Sequence, residues 1–313
     1  MKSMNLVGEP ITDLLKKIAI PASTGTLFQT LYNVVDTFFA GKISPNALAA
    51  IAKSFPLYFI IIATGVGIVA ASNALISNSL GAKEDRTASL YVAQSLLYSV
   101  IVAIVVTIVG LTLSDDLLRL MGSDQETINL ATDYLDVIFF GTFIFLVQIS
   151  LNGTLNAQGD TKKNRNALII SFFINLIFSP FLSLGYGPFP ALGTLGIALA
   201  TVISQLFHFF FLSYYAIRSP LFKYFNYNYI WLETKFVLRI LRQSIPSSMN
   251  MFMIAVGFFI MQKFVTSYGA SASAAYGIAL RIEQIILLPA IGFSSALLSM
   301  VGQNFGSKNF DRI

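Results

Sequence analysis

One acidic residue stands inside an otherwise apolar run, and its neighbours share its face. Gln29, Tyr32, Asn33 and Asp36 follow i, i+3, i+4, i+7 spacing, which aligns them along one side of a helix. A carboxylate in hydrocarbon is costly, so it should face a protein interior or a wet cavity. There it can exchange a proton, or give one up in favour of a sodium ion, whenever hydration around it changes. The competing reading is that Asp36, near the end of its run, simply reaches the headgroups. Three more runs carry polar stripes: Ser171, Asn175 and Ser179; Thr201, Ser204, Gln205 and His208; Gln148 and Asn152. Four such faces point to a shared internal cavity, against the alternative that each group only bonds a neighbouring helix for about 0.6 kcal/mol. His208 alone reads as a hydrogen-bonded packing residue, and Glu283 with Arg281 as a local pair or a weak coupling candidate.

The elements that position these residues must be membrane helices. Of the 313 residues, 55% are hydrophobic and only 11% charged, far below the roughly 25% charged that soluble domains carry. Eight runs are long and apolar enough to span: about 15–40, 54–79, 89–113, 131–155, 166–186, 191–217, 237–265 and 274–302. They are continuous rather than alternating, which predicts an all-α, polytopic fold rather than a barrel. No cysteine is present, and a single histidine cannot form a metal cluster.

The basic residues sort by side. Lys2, Lys16, Lys17, Lys83, Arg86, Lys162, Lys163, Arg165, Arg218, Lys223, Lys235, Arg239, Arg242, Lys308 and Arg312 fall at one end of the spans. Lys42, Lys53 and Arg119 fall at the other, so the positive-inside rule predicts a cytoplasmic N-terminus. The net charge of +5 is therefore topology, not nucleic-acid affinity. The third connection, 114–127, mixes Leu117, Leu118, Leu120 and Met121 with Asp115, Asp116 and Arg119, and is expected to form a separate interfacial helix. Asp133 and Asp136 read as water-facing carboxylates opening the fourth span.

Residues 240–309 repeat residues 15–84 at a fixed offset of 225, with 13 identities in 70 positions where composition alone gives roughly 5. Ile20-Pro21 falls on Ile245-Pro246, Gly67 on Gly292, Gly81 on Gly306 and Lys83 on Lys308. A period this long marks a duplicated lobe, an architecture of transporters that work by alternating access.

With these residues in view, the chain resembles the multidrug and toxic compound extrusion (MATE) family over essentially its whole length. The resemblance rests on Leu31 to Lys42 (LYNVVDTFFAGK), Leu151 to Asp160 (LNGTLNAQGD), Leu192 to Gln205 (LGTLGIALATVISQ) and Val301 to Gly306 (VGQNFG). It implies a fold of the wider MOP superfamily, twelve spans in two six-helix lobes. This chain then holds an N-terminal lobe (1–217), a linker (218–236) and the first two helices of a second lobe (237–313), and so reads as a fragment. Residues 237–313 are accordingly expected to lack packing partners. The resemblance also implies a coupling site: Asp36 and Tyr32 on the first helix, Asn175 and Thr201 on the fifth and sixth, with Pro21 as the conformational kink. Ser179 stands where the family pattern has a second aspartate, and Ile254 where one branch has an acid on the seventh helix. One fewer carboxylate favours a proton over sodium, with Asp36, Asn175 and Thr201 as the site of the alternative ion. Gln29, Asn33, Gln148, Asn152 and Gln205 are the weaker cavity-lining candidates.

The expected activity is export of small amphipathic, often cationic compounds in exchange for H+ or Na+, without any other cofactor. The protein is expected in the cell membrane, among lipid, monomeric at full length, and without nucleic-acid partners. A flippase of lipid-linked sugars from the same superfamily would need a cationic cavity, and a non-transporting remnant is the third reading. No GxxxxGK[ST] loop supports ATP drive, and Asp36 with His208 lacks a nucleophile or metal set, so the chain does not read as an enzyme.

Overall fold

The structure is a computed structural model that describes residues 4–120, 125–187, 190–226, 229, 231–266 and 270–313. Within them the chain forms eight long helices and one short 3-10 turn: α1 (Ile11–Ile43), α2 (Pro45–Gly81), α3 (Asp85–Leu120), α4 (Gln125–Ala157), α5 (Thr161–Leu184), α6 (Gly193–Ile217), a 3-10 turn at Pro220–Tyr224, α7 (Thr234–Thr266) and α8 (Ala270–Gly306). All eight expected spans are helices. Among the described residues six contain segments long and apolar enough to cross a membrane, and α1, which carries the polar stripe, is not one of them. In α1 the polarity is partly absorbed locally, since Thr24, Thr26, Thr30 and Thr37 each donate to the carbonyl four residues back.

Helix ends follow local chemistry. Ser44 caps α2 by accepting the Ala47 N–H at 3.0 Å, and Pro45 occupies the first helical position, where its missing N–H costs nothing. No break separates 114–120 from α3: Gly110 lies against the Phe139 ring and Ser114 is buried, so packing on α4 carries the helix through to Leu120. The separate interfacial helix expected there is therefore corrected to the last turns of α3, where Arg119 pairs with Asp115 at 2.9 Å; Met121 lies outside the described residues. Pro21 is buried inside α1 and removes one intrahelical hydrogen bond. One residue from the carbonyl this frees, Thr161 on α5 donates to the Ile18 carbonyl at 2.8 Å, tying α5 to the proline turn.

α2 packs on α3, α4, α7 and α8; α1 packs on α5 and α8; α6 packs on α4 and α5. The expectation that residues 237–313 lack partners is thus overturned. Their partners are the first copy of the repeat, and the contacts come in pairs related by the offset of 225. Gly67 on α2 lies against Ser244 and Ser248 of α7, while Gly292 on α8 lies against Ala19 and Ser23 of α1. Gly81 meets the Gln303 backbone, and Gly306 meets that of Asn78. Ser77 and Gly302, themselves 225 apart, face each other, which puts a pseudo-two-fold axis between them. Both copies also end in one conformation, with Lys83 at φ 59° and Lys308 at φ 58°. Glu84 N–H bonds the Ser79 carbonyl, and Asn309 N–H that of Asn304, each at 2.9 Å, closing the same left-handed cap. The second copy begins six helices after the first, an even number, so both run the same way and the axis is parallel to the spans.

The connection before α7 is clamped by the fully buried Gln94 of α3. Its Nε2 donates to the Tyr229 and Trp231 carbonyls at 2.9 and 2.8 Å, and its Oε1 accepts the Glu233 N–H at 3.0 Å. Gln94→Leu strands three backbone groups and is expected to destabilise the protein by about 2–3 kcal/mol. Limited proteolysis should show faster cleavage within 219–236; an unchanged rate would show that the clamp is dispensable.

Candidate ion-coupling site

Three helices bring the site together. Asp36, on the Tyr32 face of α1, is only 5% exposed, which excludes the headgroup-facing alternative. Thr201 of α6 donates its hydroxyl to the carboxylate, with Oγ1 3.1 Å from Oδ2 and 3.3 Å from Oδ1. Asn175 of α5 donates through Nδ2 to Thr201 Oγ1 at 3.1 Å. The result is a directed chain, amide to hydroxyl to carboxylate, with every donor aimed toward the negative end.

Around this chain three buried oxygens have no hydrogen-bond partner among the described residues: Asn175 Oδ1, Ser179 Oγ and Ser171 Oγ. Tyr32 packs edge-on against Phe172, with centroids 6.3 Å apart, and its buried hydroxyl faces Ser171 and Ser204 without closing a bond of normal geometry. Buried oxygens without partners are costly unless a proton, water or cation satisfies them.

On its other side Asp36 lines a cavity of about 320 Å³ between the C-terminal half of α1 and the N-terminal half of α2. Asn33, Thr37, Leu48, Ile51, Ala52, Phe55, Tyr58 and Tyr134 complete the wall. The carboxylate therefore sits between a hydrogen-bonding interior and a cavity, and its hydration depends on whether that cavity is open. Among the described residues no basic side chain lines it.

The remaining sequence candidates divide. Asn33 lines the cavity, whereas Gln29 is exposed and lies outside it. Gln148 of α4 donates to Gln205 of α6, forming an amide bridge, and Asn152 Oδ1 is buried without a partner; none of the three lines the cavity. His208 Nε2 lies 3.0 Å from Asn164 Oδ1, the packing role expected of it. Of the four stripes expected to share a cavity, those on α1, α5 and α6 meet at Asp36, while Gln148 and Gln205 form a separate α4–α6 bridge. Glu283 is exposed, and the side chains of Arg281 and Lys263 lie outside the described residues. Sequence reasoning missed Tyr58 and Tyr134, which stand singly on α2 and α4 with no periodic polar partners to flag them.

Comparison with known proteins agrees with this geometry. The MatE family model matches residues 21–181 and 246–313, two segments whose starts are themselves 225 apart. A probable multidrug resistance protein of Bacillus subtilis, YoeA, is 29% identical over 298 residues, covering 94% of this chain and 64% of that protein. The multidrug export protein MepA of Staphylococcus haemolyticus is 26% identical over 291 residues, covering 92% of this chain and 63% of MepA. The chain thus spans just under two thirds of the length of these relatives. A MATE family transporter of the MOP superfamily solved in its outward-facing conformation superposes with a TM-score of 0.90 at 25% identity, covering all of this chain and 69% of that one. With eight helices in the expected order and a family match over most of its length, this chain belongs to the multidrug and toxic compound extrusion family of multi-pass membrane transporters.

Proposed function

We propose that the protein exports small amphipathic, cationic compounds across the cell membrane in exchange for a cation, with a proton on Asp36 as the preferred coupling ion. The single observation that carries this reading is the buried Asp36 carboxylate held by Thr201 and Asn175 at the edge of a cavity. When the cavity is wet, the charged form is solvated and the proton leaves. When helix movement dries it, the carboxylate recovers a proton, or binds a cation through the same oxygens. An acid-bearing cavity without basic residues suits a cationic cargo rather than the pyrophosphate of a lipid-linked sugar. Sodium is the alternative ion, with Asp36, Asn175, Thr201 and Ser179 as its oxygen donors. The basic residues at the α2–α3, α4–α5 and α6–α7 connections support a cytoplasmic N-terminus, and the cavity then opens toward the outer face.

The test is transport of ethidium in proteoliposomes under imposed gradients. A one-unit pH gradient exchanged one for one sustains about a tenfold dye ratio, because one pH unit equals about 1.4 kcal/mol. That ratio is expected with a proton gradient and not with a sodium gradient of equal size. Dye movement indifferent to both gradients would overturn the coupled mechanism.

A further inference from the structure

A second cavity, of about 410 Å³, lies at the opposite end of the helices from the Asp36 cavity, where α2 ends and α3 and α7 begin. Its wall includes Thr87 and Tyr91 of α3, Asn78 of α2, and Arg239, Arg242 and Gln243 of α7. The two arginines are one turn apart and so present their guanidinium groups on the same side. Arg239 is anchored by a hydrogen bond from Nη1 to the Tyr91 hydroxyl at 3.0 Å, which leaves its other donors free. Among the described residues neither arginine forms an ion pair, and Glu84, the carboxylate of this wall, pairs with neither. Two guanidinium groups on a polar cavity whose one lining carboxylate pairs with neither are an anion-binding arrangement, and planar forks suit phosphate oxygens best.

The surroundings identify the source of the phosphate. The cavity opens at the end of the bundle that carries most of the basic residues, and exposed apolar side chains lie beside it: Leu238 next to Arg239, and Leu232 and Trp231 on the segment that Gln94 clamps. An acyl chain can run along these groups while the headgroup enters. We propose that this crevice between α2, α3 and α7 binds the phosphate of an anionic phospholipid in the leaflet on the N-terminal side of the membrane. Basic pockets between spans on that side are suited to acidic headgroups. The inference is independent of the coupling mechanism, since it uses none of the Asp36 site.

Trp231 is the single tryptophan of the chain and stands near this crevice, because its backbone is bonded to Gln94, one turn from Tyr91. Its fluorescence should be measured in vesicles of phosphatidylcholine with increasing brominated phosphatidylglycerol, and in parallel with brominated phosphatidylcholine as the quencher. The expected result is a preference of roughly tenfold for the anionic quencher, falling to within about twofold in Arg239→Gln/Arg242→Gln and partly in Arg242→Gln alone. Arg242 is exposed and has no bonded partner among the described residues, so its substitution leaves folding intact. Lys16→Gln/Lys162→Gln removes the same charge from the same side and should leave the preference unchanged. Equal quenching by the two lipids, or a preference that survives the double arginine variant, would overturn the proposal. Inorganic phosphate that abolishes the preference, where chloride at matched ionic strength does not, would reassign the site to soluble phosphate and overturn the lipid assignment.

Discussion

Asp36→Asn is expected to abolish dye resistance in a host stripped of its own pumps, while the protein accumulates in the membrane at normal levels. The amide is nearly isosteric and keeps an oxygen to accept from Thr201, so packing around α1, α5 and α6 is preserved. It has no exchangeable charge. Coupling free energies between two ligands typically correspond to 5–150-fold in affinity, so loss of the ion leg should lower gradient-driven transport at least about tenfold. A graded companion series separates charge from position. Thr201→Val removes the hydroxyl that bonds Asp36 and strands the Asn175 amide, costing about 1–3 kcal/mol of stability and weakening transport without eliminating it. Gln205→Leu breaks only the bridge to Gln148 and should leave gradient dependence intact. Comparable losses in Asp36→Asn and Gln205→Leu would show that the polar groups serve packing alone.

Gly81→Ala and Gly306→Ala should each lower the thermal midpoint of the purified protein sharply, and by similar amounts. In an ordinary helix interior this exchange stabilises by about 0.5–1 kcal/mol. Here a methyl at residue 81 would overlap the Gln303 backbone, and one at residue 306 would overlap the Asn78 carbonyl. Backbone cannot swing aside like a side chain, so α2 and α8 must separate, at about 3 kcal/mol or more. The equality of the two effects is the sharper expectation, because the contacts are images of each other across the pseudo-two-fold axis. Gly257→Ala on α7 is the control: a methyl there meets nothing within 4 Å, and the variant should be neutral or more stable. Because residues 81 and 306 lie at one crossing, the double variant should cost less than the sum. Full tolerance of either alanine would mean that the two copies of the repeat are not held together where the structure has them meet.

Much of this was legible in the residues. Hydropathy located all eight helices, yet α2 begins at Pro45, nine residues before the apolar run, because such runs report hydrocarbon thickness while a capped helix continues through the headgroups. Hydropathy does not register the Ser44 cap and the Pro45 start, which are signals of another kind. Periodicity placed Tyr32 and Asp36, Asn175, and Thr201 on the faces that meet. It could not say that Gln205 turns to Gln148 instead, since spacing gives a face and not a partner. The packing of α7 and α8 was misjudged by attending to spans the family would add rather than to the repeat itself. Gly67, Gly81, Gly292 and Gly306, matched at the offset of 225, are the positions where helices approach most closely. Their recurrence already marked the seam.

The central claim is that the carboxyl of Asp36 gives up a proton when a cationic cargo is bound. It is tested most directly by adding tetraphenylphosphonium to the purified protein in weakly buffered, sodium-free solution and following the pH. About one proton released per bound cation is expected from the wild type, and none from Asp36→Asn, as linkage between the two ligands requires. Equal release from both proteins, or binding without any release from the wild type, would contradict it.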